Sequence, residues 1–263
     1  RRPADYIKKR LPSMYHQFME LAGVDITKEA MEIGPTCHYV MGGVRVNPDT
    51  AATTVAGLFA AGEVAAGLHG ANRLGGNSLS DLLVFGRRAG ASAAEYAKGL
   101  TRVPEVNPEE VDYTQHQLLR PFHNAGGENP YAIHSDLQDC MQAKVGLIRV
   151  ESELKEALEV IDVLKRRLEK ATVPGNRRYN PGWHIALDLH NLLRVSEACT
   201  LAAIQRRESR GGHTRDDYPS TDAHFAQVNI VVSPASDGQI SLREDPLPHM
   251  PDDLKELFQE DAH

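Results

Sequence analysis

Between His69 and Gly90 the chain reads HGANRLGGNSLSDLLVFGRRAG. Gly70, Gly75 and Gly76 lead into a run where Leu79, Leu82, Leu83 and Phe85 recur at helical spacing, and the pattern predicts a helix over Ser78–Leu100. Just upstream, Gly57–Ala61 is a short apolar stretch that predicts a strand ending at Gly62-Glu63. Before that, PTCHYVMGG predicts a strand carrying His38 into a turn at Met41-Gly42-Gly43. A strand, a glycine loop and a helix start, in that order, describe a site for an anion or a dinucleotide. Glycine lets backbone N–H groups approach a ligand closely, and the first turn of a helix leaves such groups unpaired with a partial positive charge. Arg73 adds a planar cationic fork in the same loop, and His38 lies on a neighbouring segment. The combination suits a substrate that carries carboxylates.

The rest of the chain predicts a mixed α+β fold, mainly α. Arg1–Gly23 carries one helical pattern, through Leu11, Met14, Tyr15, Phe18, Met19, Leu21 and Ala22, with Gly23 as its C-cap. Val44–Thr54 reads as a hairpin-like excursion through Asn47-Pro48-Asp49. Thr101–Pro108 is a proline-containing linker. Four helices follow, over Glu109–Leu119, Ser135–Val150 with Ser135 as N-cap, Glu151–Ala171 and Trp183–Arg207. They predict an up-and-down bundle in which the fourth helix, apolar nearly all round, is the most buried. His224–Ser233 and Gln239–Arg243 predict a hairpin about Ala235–Gly238, and Asp252–Gln259 a short final helix.

Net charge is −7, which argues against nucleic acid as a partner. No apolar run approaches the roughly 20 residues of a membrane span. Cys37, Cys140 and Cys199 are odd in number and far apart, which predicts free thiols. The histidines show no metal-ligand spacing, so no metal site is expected.

Several segments resemble the flavoprotein subunit of succinate dehydrogenase and fumarate reductase. They are His38-Tyr39 through Met41-Gly42-Gly43, Gly57–Glu63, His69-Gly70-Ala71-Asn72-Arg73-Leu74-Gly75-Gly76-Asn77-Ser78-Leu79, Glu208–His213, and Asp217-Tyr218-Pro219. The resemblance implies interconversion of succinate and fumarate by hydride transfer with FAD. It implies substrate contacts from His38 and Arg73. It implies FAD contacts from Glu63, from the loop Met41, Gly42 and Gly43, and from the backbone N–H groups of Ser78 and Leu79. A plainer reading of Ser78 is a helix N-cap, and of Glu63 an acid beside a helix start.

The family's GxGxxG segment and its capping domain, with the proton-transfer arginine, have no counterpart in these residues. The resemblance is therefore to the C-terminal portion of such a flavoprotein, with no catalytic proton-transfer group in this chain. It divides the chain into the end of a capping domain (1–28), a C-terminal segment of the FAD-binding domain (29–100), a helical bundle (101–208) and a C-terminal extension (209–263). It implies an iron–sulfur partner subunit, indirect attachment to a membrane anchor, and a cytoplasmic place against the inner face of the membrane. By itself the chain is expected to lack FAD and activity. Two other readings are an L-aspartate oxidase-type flavoenzyme, disfavoured by Gly75-Gly76, and a non-catalytic docking module, disfavoured by the presence of both His38 and Arg73.

Around these residues, His69 and Asn72 are expected to make bonds within their own loop. Glu208, Arg210 and His213 are expected either to close the C-terminal part onto the flavin-binding segment or to form a solvated helix end. Trp183, His184 and Cys199 are expected in the bundle core, and Lys165-Arg166-Arg167 with Asp252, Asp253 and Glu256 on solvated faces.

Overall fold

A computed structural model describes residues 2–34 and 36–255. The chain divides into two units, residues 1–38 and 39–263. In the first unit, α1 (Ala4–Arg10) and α2 (Pro12–Ala22) are separate helices. The break falls at Leu11 because Pro12 lacks an N–H and drives the preceding residue out of the helical region. Gly23 ends α2 in the left-handed conformation, as expected.

The second unit is mainly helical. Its helices are α3 (Asn77–Gly99), α4 (Pro108–His123), α5 (Pro130–Lys144), α6 (Glu151–Leu168) and α7 (Pro181–Gln205). Three of them start on an Asn-Pro step. Asn107, Asn129 and Asn180 each accept a hydrogen bond from a first-turn N–H, and proline occupies the first helical position, where an N–H would be orphaned anyway. This capping corrects the expected start at Ser135, which lies inside α5.

The bundle core lies among α5, α6 and α7. Ile133 and Leu137 pack against Ile161, Leu164, Leu168, Leu189 and Leu193. A second cluster joins Cys140, Val145, Leu154, Ala157 and Ala203. The four-helix expectation is met only in part. On α4 only Pro121 is buried, and the helix lies along the flank of the other three, held by Trp183. The Trp183 indole N–H donates to the Leu118 carbonyl at 2.7 Å, and its ring meets Phe122 edge-on. On α7 the buried positions form one stripe, while Leu192 and Val195 face solvent. His184 and Cys199 are exposed, so neither belongs to the core. Trp183 is half-buried. In the basic run on α6, Arg166 is solvated as expected, whereas Lys165 and Arg167 are half-buried. Lys165 pairs with Glu197, Arg166 with Asp162, and Arg167 with both Glu128 and Asp136.

Strand content is small. β1 (Ile148–Arg149) pairs in parallel with β2 (Thr214–Arg215). β3 (Val228–Pro234) and β4 (Ile240–Pro246) form the expected antiparallel hairpin, with Val231 opposite Arg243. The predicted strands around His38 and over Gly57–Ala61 are not regular strands. Among the described residues only the bridges Val44–Ala65 and Ala52–Phe59 form there. Gly42, Gly43, Gly57 and Gly62 all have positive φ, which interrupts extended backbone on both segments. No described helix is long and apolar enough to cross a membrane. The predicted helix over Asp252–Gln259 lies partly outside the described residues, as do Pro35 and Glu256.

Candidate functional site

The glycine loop is held in place by close backbone approaches within the second unit. Gly43, at φ 141, lies so near the Val64 carbonyl that a Cβ would come within 2.2 Å of its oxygen. Val44 N–H donates to that carbonyl at 2.7 Å, and Ala66 N–H returns a bond to Val44. Gly62, buried at φ 79, receives the Leu82 side chain of α3, which would lie 2.6 Å from a Cβ. These contacts seat the turn at Gly62–Val64 against the start of α3. Glu63 is exposed, and its Oε1 accepts from Val40 N–H at 2.9 Å.

Gly76 supplies the left-handed residue that opens α3, and no side chain caps the helix start. The helix begins at Asn77, so Ser78 is not its N-cap. The Ser78 hydroxyl instead accepts from the Arg73 guanidinium at 2.9 Å. Arg73 is half-buried and stacks over the Tyr39 ring, 4.5 Å from its centroid. Its Nε is buried and has no hydrogen-bond partner among the described residues. Such a donor costs about 1–3 kcal/mol unless an acceptor reaches it. Leu79 is exposed, and Met41 is half-buried.

Beneath Arg73 lies a group that sequence reasoning missed. Asp81, 5% exposed, is the only buried residue of α3. The Tyr39 hydroxyl donates to its carboxylate at 3.4 Å, and His69 Nε2 lies 3.3 Å from the same oxygen. The imidazole lies near the carboxylate but lacks hydrogen-bond alignment with it. The Tyr39 and His69 rings meet edge-on at 5.3 Å. Burial, and then the Asp81 carboxylate, push the Tyr39 phenol above its usual pKa. His69 therefore turns toward the helix and away from its own loop. An aspartate inside the apolar run Leu79–Phe85 was the available signal.

The C-terminal part closes onto the loop from the other side. Gly212 N–H donates to the Ala71 carbonyl at 2.9 Å, and a Cβ on Gly211 would lie 2.4 Å from that oxygen. Glu208, fully buried, anchors this turn. It accepts from Arg206 at 2.6 Å, from Arg210 at 2.9–3.1 Å and from Asp222 N–H at 2.8 Å. Burial alone would raise its pKa, but these hydrogen bonds outweigh it and hold the carboxyl at about 2. Arg215, also fully buried, donates to Asp217 through two nitrogens at 2.7 Å and to the Ala203 carbonyl at 2.6 Å.

His213 completes the turn. Its Nδ1 lies 2.8 Å from Arg149 and its Nε2 lies 3.0 Å from the Arg206 carbonyl. An arginine can only donate, so Nδ1 accepts and Nε2 carries the proton. Burial is the main cause that lowers the His213 pKa, and Arg149, Arg215 and Arg206 add to it. The unfolded chain then binds the proton more tightly, so stability is full above the ordinary value near 6.5 and falls as pH drops through it. Chemical denaturation midpoints are expected to fall between pH 7 and pH 5. His213→Gln is expected to flatten that dependence; an unchanged slope in the variant would remove His213 as its source.

Two family models match the sequence, one described as fumarate reductase flavoprotein C-term over residues 134–255 and one as FAD binding domain over residues 1–79. The chain is 40% identical over 249 residues to the succinate dehydrogenase flavoprotein subunit of Coxiella burnetii, covering 90% of this chain and 42% of that protein. The chain belongs to the succinate dehydrogenase/fumarate reductase flavoprotein family. It is also 36% identical over 247 residues to the fumarate reductase flavoprotein subunit of Mycobacterium tuberculosis, covering 90% of this chain and 42% of that one. Its fold matches the solved structure of Mycobacterium smegmatis Sdh1 in complex with UQ1, with a TM-score of 0.88 and 54% identity over 98% of this chain and 44% of that one. The chain thus spans about two fifths of the length of the family members it matches. Among the described residues no group of His, Cys, Asp or Glu is placed to hold a metal ion.

Proposed function

We propose that the chain forms one side of an FAD-dependent site that interconverts succinate and fumarate. The observation that carries this reading is Arg73, a half-buried cation aimed by Ser78 and Tyr39 with its Nε unpaired. A carboxylate offers the acceptor that this nitrogen lacks, in a shape that a guanidinium fork matches. His38, the last residue of the first unit, is proposed as a second substrate contact.

The residues around the glycine loop fit the flavin as well. Glu63 keeps Oε2 for a ribityl hydroxyl while Oε1 fixes Val40. Met41, Gly42 and Gly43 form a slim surface, since side chains at the two glycines would be strained at their positive φ. The uncapped start of α3 presents Ser78 and Leu79 with the positive end of the helix. When bound, FAD supplies the two-electron chemistry that converts one dicarboxylate to the other. Arg73 binds and orients a substrate carboxylate, and no residue of this chain is assigned the proton transfer. Residues 29–100 are read as the FAD-binding segment, 1–28 as the end of a capping domain, 101–208 as the bundle and 209–263 as the extension. Electron exchange with an iron–sulfur partner on the inner face of the membrane completes the proposal.

The test is turnover by the intact protein with an artificial electron acceptor, offering succinate and L-aspartate separately. Succinate oxidation without aspartate oxidation is expected, and the reverse would sink the reading. The 263-residue chain purified alone is expected to be colourless and inactive, because contacts from one side only do not offset the cost of ordering the cofactor. A stoichiometric yellow preparation would show that these residues hold FAD by themselves.

A further inference from the structure

We propose that Tyr39 and Asp81 are positioning residues for Arg73, acting from beneath the guanidinium. The proposal rests on the reading that Arg73 grips a substrate carboxylate. Three observations carry it. First, the Arg73 guanidinium lies 4.5 Å over the Tyr39 ring, and its remaining fixed contact is the Ser78 hydroxyl at 2.9 Å. A cation bonded at one nitrogen and held over an aromatic face has its position fixed at two points, and that position sets where its remaining donors lie. Second, the Tyr39 ring is itself held by its hydroxyl, which donates to Asp81, and by the edge of His69.

Third, Asp81 is a poor choice for stability alone. It is a buried carboxylate whose hydroxyl contact is long, at 3.4 Å, and whose imidazole neighbour is misaligned. Burying an anion with such partners is costly, and its α3 neighbours Leu82, Leu83 and Val84 show that apolar residues dominate this stretch. A negative charge at the Tyr39 hydroxyl instead fixes the ring and favours the Arg73 cation over it. Tyr39 and Asp81 lie 42 residues apart in sequence, so the arrangement exists only in the folded unit.

A double-mutant cycle on the intact protein tests this. Tyr39→Leu removes the ring from under Arg73 and is expected to raise KM for succinate about ten-fold or more, with a smaller change in kcat. Combined with Arg73→Lys, which has no planar fork to aim, it is expected to add little further loss. Tyr39→Phe keeps the ring and loses the tether, so a loss of only a few-fold is expected. Asp81→Asn is expected to matter in the Tyr39 protein and to add almost nothing in the Tyr39→Phe protein. FAD content and Tm, measured alongside, screen out unfolding, and Tyr39→Phe remains informative if Tyr39→Leu does not fold. Equal fold losses in the Arg73 and Arg73→Lys backgrounds would mean a merely structural role and overturn the proposal. Normal kinetics in Tyr39→Leu and Asp81→Asn, beside a crippled Arg73→Lys, would overturn it while leaving the substrate role of Arg73 intact. Normal kinetics in Arg73→Lys would remove the substrate role and the proposal together.

Discussion

Replacing Arg73 with lysine is expected to lower kcat/KM for succinate by about ten- to several-hundred-fold in the intact protein, with FAD content nearly unchanged. Lysine keeps the charge but loses the planar fork, the stacking on Tyr39 and the fixed bond to Ser78. A charge-assisted hydrogen bond is worth roughly 1.5–3 kcal/mol, so losing one or two of them gives a change of this size. Steady-state kinetics with the flavin absorbance as a loading control is the measurement. Near-normal kinetics would withdraw Arg73 from the substrate site. Loss of flavin together with activity would mean that Arg73 chiefly organises the glycine loop, through Ser78 and the first turn of α3.

Replacing Glu208 with alanine is expected to destabilise the second unit by about 3–5 kcal/mol, because it leaves two arginines and a backbone N–H facing an emptied, buried position. For a unit of this size that corresponds to a fall in Tm on the order of 10 °C. The same carboxylate makes a signed pH prediction. Its folded pKa of about 2 lies below the ordinary value near 4.5. Its contribution is therefore complete above about 4.5 and is lost as pH falls toward 2. Thermal melts of the parent and Glu208→Gln at pH 7 and pH 3.5 check this: the gap in Tm is expected to narrow at the lower pH, where Glu208 takes up a proton in the unfolded chain while staying ionised in the folded one. A gap that stays constant would mean that shape, and not charge, makes Glu208 important. Because the same turn meets Ala71 through Gly212, loosening it is also expected to disturb the loop that carries Arg73.

What could be read from the residues was what depends on neighbours in the chain. The glycine loop opening a helix near Ser78, the 3–4 spacing of Leu154, Ile161, Leu164 and Leu168, and the Asp237-Gly238 turn between β3 and β4 are all local patterns. Their physics acts over four or five residues, through φ preference, capping and side-chain period. The Asn-Pro steps that start α4, α5 and α7 were equally local and equally legible, yet Ser135 was preferred as a cap on residue type alone. Strand expectations around His38 and over Gly57–Ala61 failed for a related reason. An extended run becomes a strand only when a partner completes its hydrogen bonds, and spacing within the run says nothing about the partner.

The tertiary structure decided which polar groups would be buried together. Apolar periodicity does not mark the buried position of α3, where Leu79, Leu82, Leu83 and Val84 are exposed and Asp81 is buried, and spacing cannot tell which distant residue will meet that aspartate. Asp81 under Tyr39, Glu208 among Arg206, Arg210 and Asp222, and His213 between Arg149 and the Arg206 carbonyl are all meetings of this kind. Arg206 and Arg210 are near neighbours of Glu208 in the chain, but the Asp222 N–H reaches it only in the folded unit, as Tyr39 reaches Asp81 and Arg149 reaches His213, so the burial of these groups is a property of the packed unit. The sequence alone therefore determined that an arginine suited to a carboxylate stands on a glycine loop before a helix. Only the packed fold determined that its position is set from below by a tyrosine and a buried aspartate, because those contacts join residues that local rules cannot connect.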